Sequence, residues 1–219
     1  MTKTNNLKWT EGNAKLLKTS GESYRVLGFG LPADMTFEGG NTCPGANACR
    51  GVCYAKQGRY LMANVRDARL HNFNASRDVE SFVSGAIADL SRYAKRYNVV
   101  RLHDSGDFFS QDYLDAWKAI ACAFPAIIFY AYTKSLHLDL FTDKPANLRL
   151  VQSLGGKYDN QVNLSAPHSR IFSTDADMVS AGYIDGNVSD IPAIEGAINI
   201  GLVYHRNRKL TEAQSNYFR

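Results

Sequence analysis

Between residues 78 and 97 the apolar positions Val79, Phe82, Val83, Ala86, Ile87, Leu90 and Tyr93 recur at three- and four-residue steps. That spacing gathers on one face of a helix. Asp78 is placed to cap its start, and Lys95 and Arg96 suit the negative end of its dipole. A second helix is predicted over 111–124, with Ser110 before it and Pro125 just beyond. Residues 54–73 carry a weaker helical pattern interrupted by Gly58, and 135–141 a short helical turn. Between these lie short β-branched or aromatic runs at 24–29, 98–102, 126–132 and 147–152. Further strand candidates occupy 161–164 and 197–203. Strands separated by helices predict parallel pairing through right-handed crossovers. The 219 residues fall short of the roughly 250 of a closed eight-unit barrel. The expectation is therefore an α/β chain built as a partial (β/α) barrel or an open sheet.

Composition narrows this to a single domain over 1–219, at 45% hydrophobic and 21% charged residues. Residues 1–20 are polar and basic (Lys3, Lys8, Lys15, Lys18) and read as a peripheral arm, with the recognisable core over 24–153 and a less defined part over 154–219. No apolar run approaches the about 18 residues of a membrane span, and the first residues lack a signal-peptide core. A cytoplasmic location with no membrane partner is expected. The net charge of +4 is too mild to diagnose nucleic-acid binding. The basic stretch VYHRNRKL reads as a solvated face, with phosphate contact as the alternative. Phosphate-loop, dinucleotide and serine-elbow motifs are absent from the sequence.

Cysteine usage changes the picture. Cys43, Cys49 and Cys53 lie in TCPGANACRGVCYA, five and then three residues apart, in and just after a Gly/Pro/Asn-rich loop over 30–51. Loops of that length in compact domains are usually either functional or disordered. Close cysteines in a reducing compartment point to metal, and thiolates select zinc, copper(I) or iron–sulfur clusters. Pro44, Gly45 and Gly51 would let the backbone wrap an ion, and Arg50 and Lys56 would offset thiolate charge. Three thiolates suit a [4Fe-4S] cluster with one open iron. Zinc is the alternative and wants a fourth ligand, such as His71. Cys122, in AIACAF, reads as a buried core residue.

The three predicted central strands end in polar clusters: His103, Asp104, Ser105, Gly106 and Asp107; then Tyr132, Thr133, Lys134 and Ser135; then Gln152 and Ser153. Ligands of parallel α/β folds bind at such strand ends. Set against that, Asp104, Ser105 and Asp107 are also ordinary turn and cap residues, and Gly106 could simply supply a positive φ. His103 reads equally as a satisfied core histidine, and Lys134 as a solvated loop residue or an anion ligand. Tyr54, Tyr60, Phe108, Phe109 and Tyr132 are packing candidates. His137, His168 and His205 carry no local pattern.

Taken in order, TCPGANACRGVCYA, RLHDSGDFFSQDYLDAW and FYAYTKS resemble the gene-product-88 type of phage and prophage proteins. These in turn look similar to radical S-adenosylmethionine (radical SAM) enzymes. The resemblance implies a partial (β/α) barrel with a [4Fe-4S] cluster on Cys43, Cys49 and Cys53. It also implies S-adenosylmethionine as a cofactor. Ser105, Gly106 and Asp107 would then meet its amino group and Lys134 an acidic group, with Tyr132, Thr133 and Ser153 completing the pocket. The cysteine spacing is wider than in radical SAM enzymes, and Asp107 stands where they carry Glu. The alternative is a non-enzymatic iron–sulfur or zinc protein acting through a host protein or nucleic acid in the host cytoplasm. The identity of any small-molecule partner is left open.

Overall fold

Alternation of side chains along each strand divides the central sheet into two unlike faces. The computed structural model describes residues 6–21, 23–36 and 39–204. Among them, eight strands share one sheet: β1 (Trp9–Thr10), β2 (Val26–Phe29), β3 (Val99–Leu102), β4 (Ile128–Thr133), β5 (Leu148–Ser153), β6 (His168–Phe172), β7 (Ile184–Asp185) and β8 (Asn199–Val203). Their order is β1-β2-β3-β4-β5-β6-β8-β7. β1 runs antiparallel to β2, and the other neighbours are parallel. From β2 to β6 and on to β8, each new strand is added on the same side. The sheet is open, with β1 and β7 at its edges.

One face carries Leu27, Phe29, Val100, Leu102, Phe129, Ala131, Leu148 and Leu150. On it pack α2 (Ala63–Ser76), α3 (Val79–Tyr93) and α4 (Gln111–Ala123), which contribute Phe73, Phe82, Ala86, Leu90, Tyr113, Trp117 and Ile120. Phe29, Phe82 and Trp117 meet edge to face at its centre, an arrangement that adds to simple area burial. The helices start where side-chain caps were expected. Asp78 accepts the Ser81 N–H at 3.3 Å, and Ser110 accepts the Tyr113 N–H at 3.2 Å.

The opposite face is apolar only towards the strand starts. Val26, Val99, Tyr130, Val151 and Ile200 pack there against Leu16 of α1 (Ala14–Thr19) and against Ala193 and Ile194 of α6 (Ile191–Glu195). Towards the strand ends this face stays uncovered and borders a cavity. The remaining helix, α5 (Asp175–Ser180), lies between β6 and β7 in the chain and packs on β6, β7 and β8.

Several expectations are corrected. The helix expected over 54–73 is two short 3-10 turns, Tyr54–Lys56 and Gly58–Leu61, followed by α2. Gly58 has φ +59°, which a right-handed helix cannot contain. Residues 135–141 form turns without a helix, and 161–164 forms no strand; a 3-10 turn occupies Asp159–Gln161 instead. Cys122 is exposed, because the buried stripe of α4 runs through Tyr113, Trp117, Ile120 and Ala121 and leaves it on the solvent side. Of the expected peripheral arm over 1–20, the described residues 6–20 pack on the fold, with Leu7 and Leu16 buried. The less defined part after 154 supplies β6, β7, β8, α5 and α6. Most of VYHRNRKL, from His205 on, lies outside the described residues. Among those described, no helix is long and apolar enough to cross a membrane.

Leu16 has 1% of its surface exposed and its neighbour Leu17 has 60%. Leu16→Ala is expected to destabilise the fold by about 2–5 kcal/mol in urea unfolding, and Leu17→Ala to change it little. Equal midpoints for the two variants would show that α1 is not part of the core.

Candidate functional site

The cysteine loop is pinned to the strand ends by backbone contacts. Ala46 bridges Gly156, and the Lys157 N–H donates to the Gly45 carbonyl at 2.9 Å. A Cβ on Gly45 would fall inside the van der Waals envelope of the Lys134 carbonyl. Gly45 is thus required by packing against the end of β4, whatever an ion requires. Asp107 donates its N–H to the Thr42 carbonyl at 2.8 Å, which fixes the residue next to Cys43.

Asp107 also joins two strand ends. Its Oδ1 accepts from the Thr133 hydroxyl at 2.6 Å and from the Phe108 N–H at 2.7 Å, and its Oδ2 accepts the Lys134 N–H at 2.8 Å. A carboxylate has about four acceptor positions, so one remains on Oδ2. Burial raises the Asp107 pKa despite these bonds. Gly106 takes φ +80°, and a Cβ there would lie 2.6 Å from that of Leu31. Ser105 donates to the Leu31 carbonyl at 2.5 Å and accepts from Arg69 Nε at 2.8 Å. The Lys134 ammonium reaches across to the Ser153 hydroxyl and the Leu154 carbonyl, both at 2.6 Å.

These elements enclose a cavity of about 500 Å³. Cys43, Cys49, Cys53, Ser105, Gly106, Asp107, Tyr132, Lys134 and Ser153 line it. Thr133 does not, and acts through Asp107 as a positioning group. His103 borders the cavity, but its ring packs on Phe108 and its Nε2 lies 2.9 Å from the Tyr113 hydroxyl. Burial pulls the imidazole down to about 3 and keeps it neutral. Asp104 is no simple turn residue: it pairs with Arg69 at 2.5 Å, and its carbonyl accepts from the Tyr54 hydroxyl.

The donor set facing the cavity is three thiols. Burial pushes Cys43 up to about 12, with the Asp107 charge adding to it, and burial also raises Cys53. The expected counter-cations Arg50 and Lys56 both pair with Asp34, each at 2.8 Å, and the Asp34 N–H points at the Cys43 sulfur at 3.3 Å. Soft thiolates fit an iron–sulfur cluster in ligand chemistry. Among the described residues, however, no three His, Cys, Asp or Glu side chains are gathered closely enough to hold a metal ion. Holding one would require the loop to draw the thiols together. His71 does not supply a fourth ligand, since its Nε2 lies 3.0 Å from the Asn6 carbonyl and it does not line the cavity.

The Gene product 88 family model matches residues 4–208. The chain belongs to the Gene product 88 family. It is 33% identical over 132 residues to the Gene 88 protein of Mycobacterium phage D29, covering 55% of this chain and 53% of that protein. It is 32% identical over 114 residues to the Gene 88 protein of Mycobacterium phage L5, covering 48% and 46%. The chain thus spans about half the length of the curated relatives it matches. No solved structure matches it.

Sequence reasoning missed a buried ionic group in this Gene product 88 chain. The fully buried Asp190 carboxylate accepts from Lys15 Nζ at 2.8 Å and Arg101 Nη1 at 2.8 Å. It also accepts from the Tyr130 and Tyr132 hydroxyls at 3.0 and 3.3 Å. Burial alone would raise its pKa, but Arg101 and Lys15 hold it below the ordinary carboxylate range. Arg101 could have been found: an arginine inside VVRL, a short β-branched strand, needs a buried partner.

Asp190→Asn would leave two cations without their carboxylate, a loss of about 3–5 kcal/mol expected in urea unfolding at pH 7. Because the folded carboxyl titrates below its unfolded value of about 3.9, its contribution is complete above that pH and is lost as pH falls through the folded value. The gap between wild type and variant should therefore narrow from pH 5 towards pH 3, and a widening gap would contradict the assignment. In metal-free protein, iodoacetamide at pH 8 is expected to label exposed Cys122 first and Cys43 last, at least about tenfold slower. Mass spectrometry showing equal rates would contradict a half-buried Cys43 beside an exposed Cys122.

Proposed function

We propose that this is an iron–sulfur protein of radical SAM-like type, built on a partial (β/α) barrel. Cys43, Cys49 and Cys53 would hold a [4Fe-4S] cluster. The observation that carries the reading is that the three thiols, the Ser105–Gly106–Asp107 turn and Lys134 all border one cavity at the strand ends. The strand order supports it further. Six parallel strands advance in one direction from β2 to β8, whereas a doubly wound sheet reverses its order at the ligand site.

Such a cluster, when bound, supplies an electron to a sulfonium cofactor. The chain's own residues bind and orient. Asp107, through the free acceptor position on Oδ2, is placed to take an ammonium group. Lys134, aimed by Ser153 and the Leu154 carbonyl, is placed to meet a carboxylate or phosphate. Tyr54 and Tyr60, edge to face at 5.5 Å, form part of the wall that limits water entry.

A second reading, a non-enzymatic cluster or zinc protein acting through a host protein or nucleic acid, is favoured by one observation. The cysteines stand five and then three residues apart, wider than in radical SAM enzymes.

Anaerobic reconstitution separates the two. The expected result is about four iron and four sulfide per chain, loss of that iron in Cys49→Ser, and a change in the reduced cluster's electron paramagnetic resonance spectrum on adding S-adenosylmethionine. Iron uptake without any response to S-adenosylmethionine would select the second reading. Zinc alone after strictly anaerobic preparation would remove the cluster from both.

A further inference from the structure

Deeper along the same cavity wall lies a group whose charged side chains the cluster reading does not use. Arg101, Tyr132 and Lys15 border the cavity and converge on Asp190 behind it. Arg101 and Tyr130 are register partners in β3 and β4, below the strand ends that carry Asp107 and Lys134. Underneath is the apolar layer of Val26, Val99, Val151 and Ile194, which offers no charge.

Two cations share one carboxylate here, so one positive charge is left over. The neighbouring acids do not cancel it. Asp104 is paired with Arg69. Asp185, whose charge also acts on Lys15, lies on an exposed two-residue strand and accepts from Asn187. Asp34 carries a similar excess with Arg50 and Lys56, but those side chains are 39% and 44% exposed, and water screens them. Arg101 is only 8% exposed. Of its five N–H donors, one reaches Asp190 Oδ2, and its buried Nε has no hydrogen-bond partner. A buried guanidinium with unspent donors and surplus charge, on the wall of a cavity, is completed by an anion.

We propose that Arg101 and Lys15, braced by Asp190, bind an oxyanion group (phosphate or carboxylate) on the small molecule that enters the cavity. The site is distinct from the cysteine loop. This deepens the proposed function by giving the substrate an acidic group, but it does not depend on a cluster being present.

The test is calorimetric titration of the full metal-free chain with inorganic phosphate, pyrophosphate and succinate at constant ionic strength. Saturable binding is expected for at least one probe. Tighter phosphate or pyrophosphate binding assigns a phosphorylated substrate, and tighter succinate binding a carboxylic acid. Arg101→Gln, which leaves Lys15 and Asp190 as a neutral pair, should weaken binding at least about tenfold, the loss of a hydrogen bond to a charged group. Lys15→Met leaves Arg101 and Asp190 paired and should weaken it in the same direction, which covers the case in which the arginine variant fails to fold. The titrated chain carries no metal, so failure to load iron would not touch this result. The proposal is overturned if no probe binds wild type into the millimolar range. It is equally overturned if folded Arg101→Gln and Lys15→Met bind as wild type does.

Discussion

Everything on the inner face of the sheet is arranged around one buried carboxylate. Asp190 draws Lys15 from α1, Arg101 from β3 and two tyrosine hydroxyls from β4 to a single point. Its own N–H is received by the Thr19 hydroxyl, 171 residues away in the chain, at 2.8 Å. Removing charges from water is costly, and the carboxylate at the centre of this group is offset by two cations and two hydroxyls. The apolar layer below could have been continued upward with more valine and isoleucine. A polar floor interrupts it instead, and above that floor the sheet stays uncovered. The cavity exists because the core changes character at Asp190.

A second carboxylate does for the strand ends what Asp190 does for the interior. Asp107 ties the end of β3 to the end of β4 through Thr133 and Lys134, and its N–H fixes the loop at Thr42. The cysteine loop is therefore anchored at its first cysteine and at Gly45, while Cys49 and Cys53 follow in short 3-10 turns around Ala48–Lys56. This combination suits a segment that must be held near the cavity yet close further around a ligand. Arg69, from α2, completes the frame by gripping both Asp104 and Ser105.

What could be read from the chain alone was local chemistry of short range. Ser110 and Asp78 cap helices because Ser and Asp side chains reach their own backbone two or three residues on, and both were legible. The parallel pairing of β2, β3 and β4 followed from strands alternating with helices, whereas β4 and β5 pair in parallel across turns that hold no helix. The polar residues that crowd the cavity also announced themselves, as clusters at the ends of apolar runs. Long-range pairing left no such trace. Nothing near Lys15 or Asp190 signals the other, so the N-terminal lysines resembled a solvated arm. Gly45 looked like a ligand-wrapping glycine because its real neighbour, Lys134, is far away in sequence. Cys122 was misread for a different reason: AIACAF is apolar throughout, so composition could not show that only Ile120 and Ala121 belong to the inward stripe.

The span of the Lys15–Asp190 contact carries a consequence for how the molecule comes into being. Chains emerge from the ribosome N-terminus first, at about 5–20 residues per second. Lys15 and Arg101 are made long before the carboxylate that neutralises them. Until Asp190 emerges, neither can be buried cheaply, and α1 is held beneath β2 by the apolar contacts of Leu16 alone. The strands β2 to β5 and the helices on their outer face can assemble in the meantime, since their contacts are nearer in sequence. By this order of synthesis the cavity wall is completed after the three cysteines have been made. If a metal centre is installed there, the order of assembly leaves it an open door until the final strands arrive.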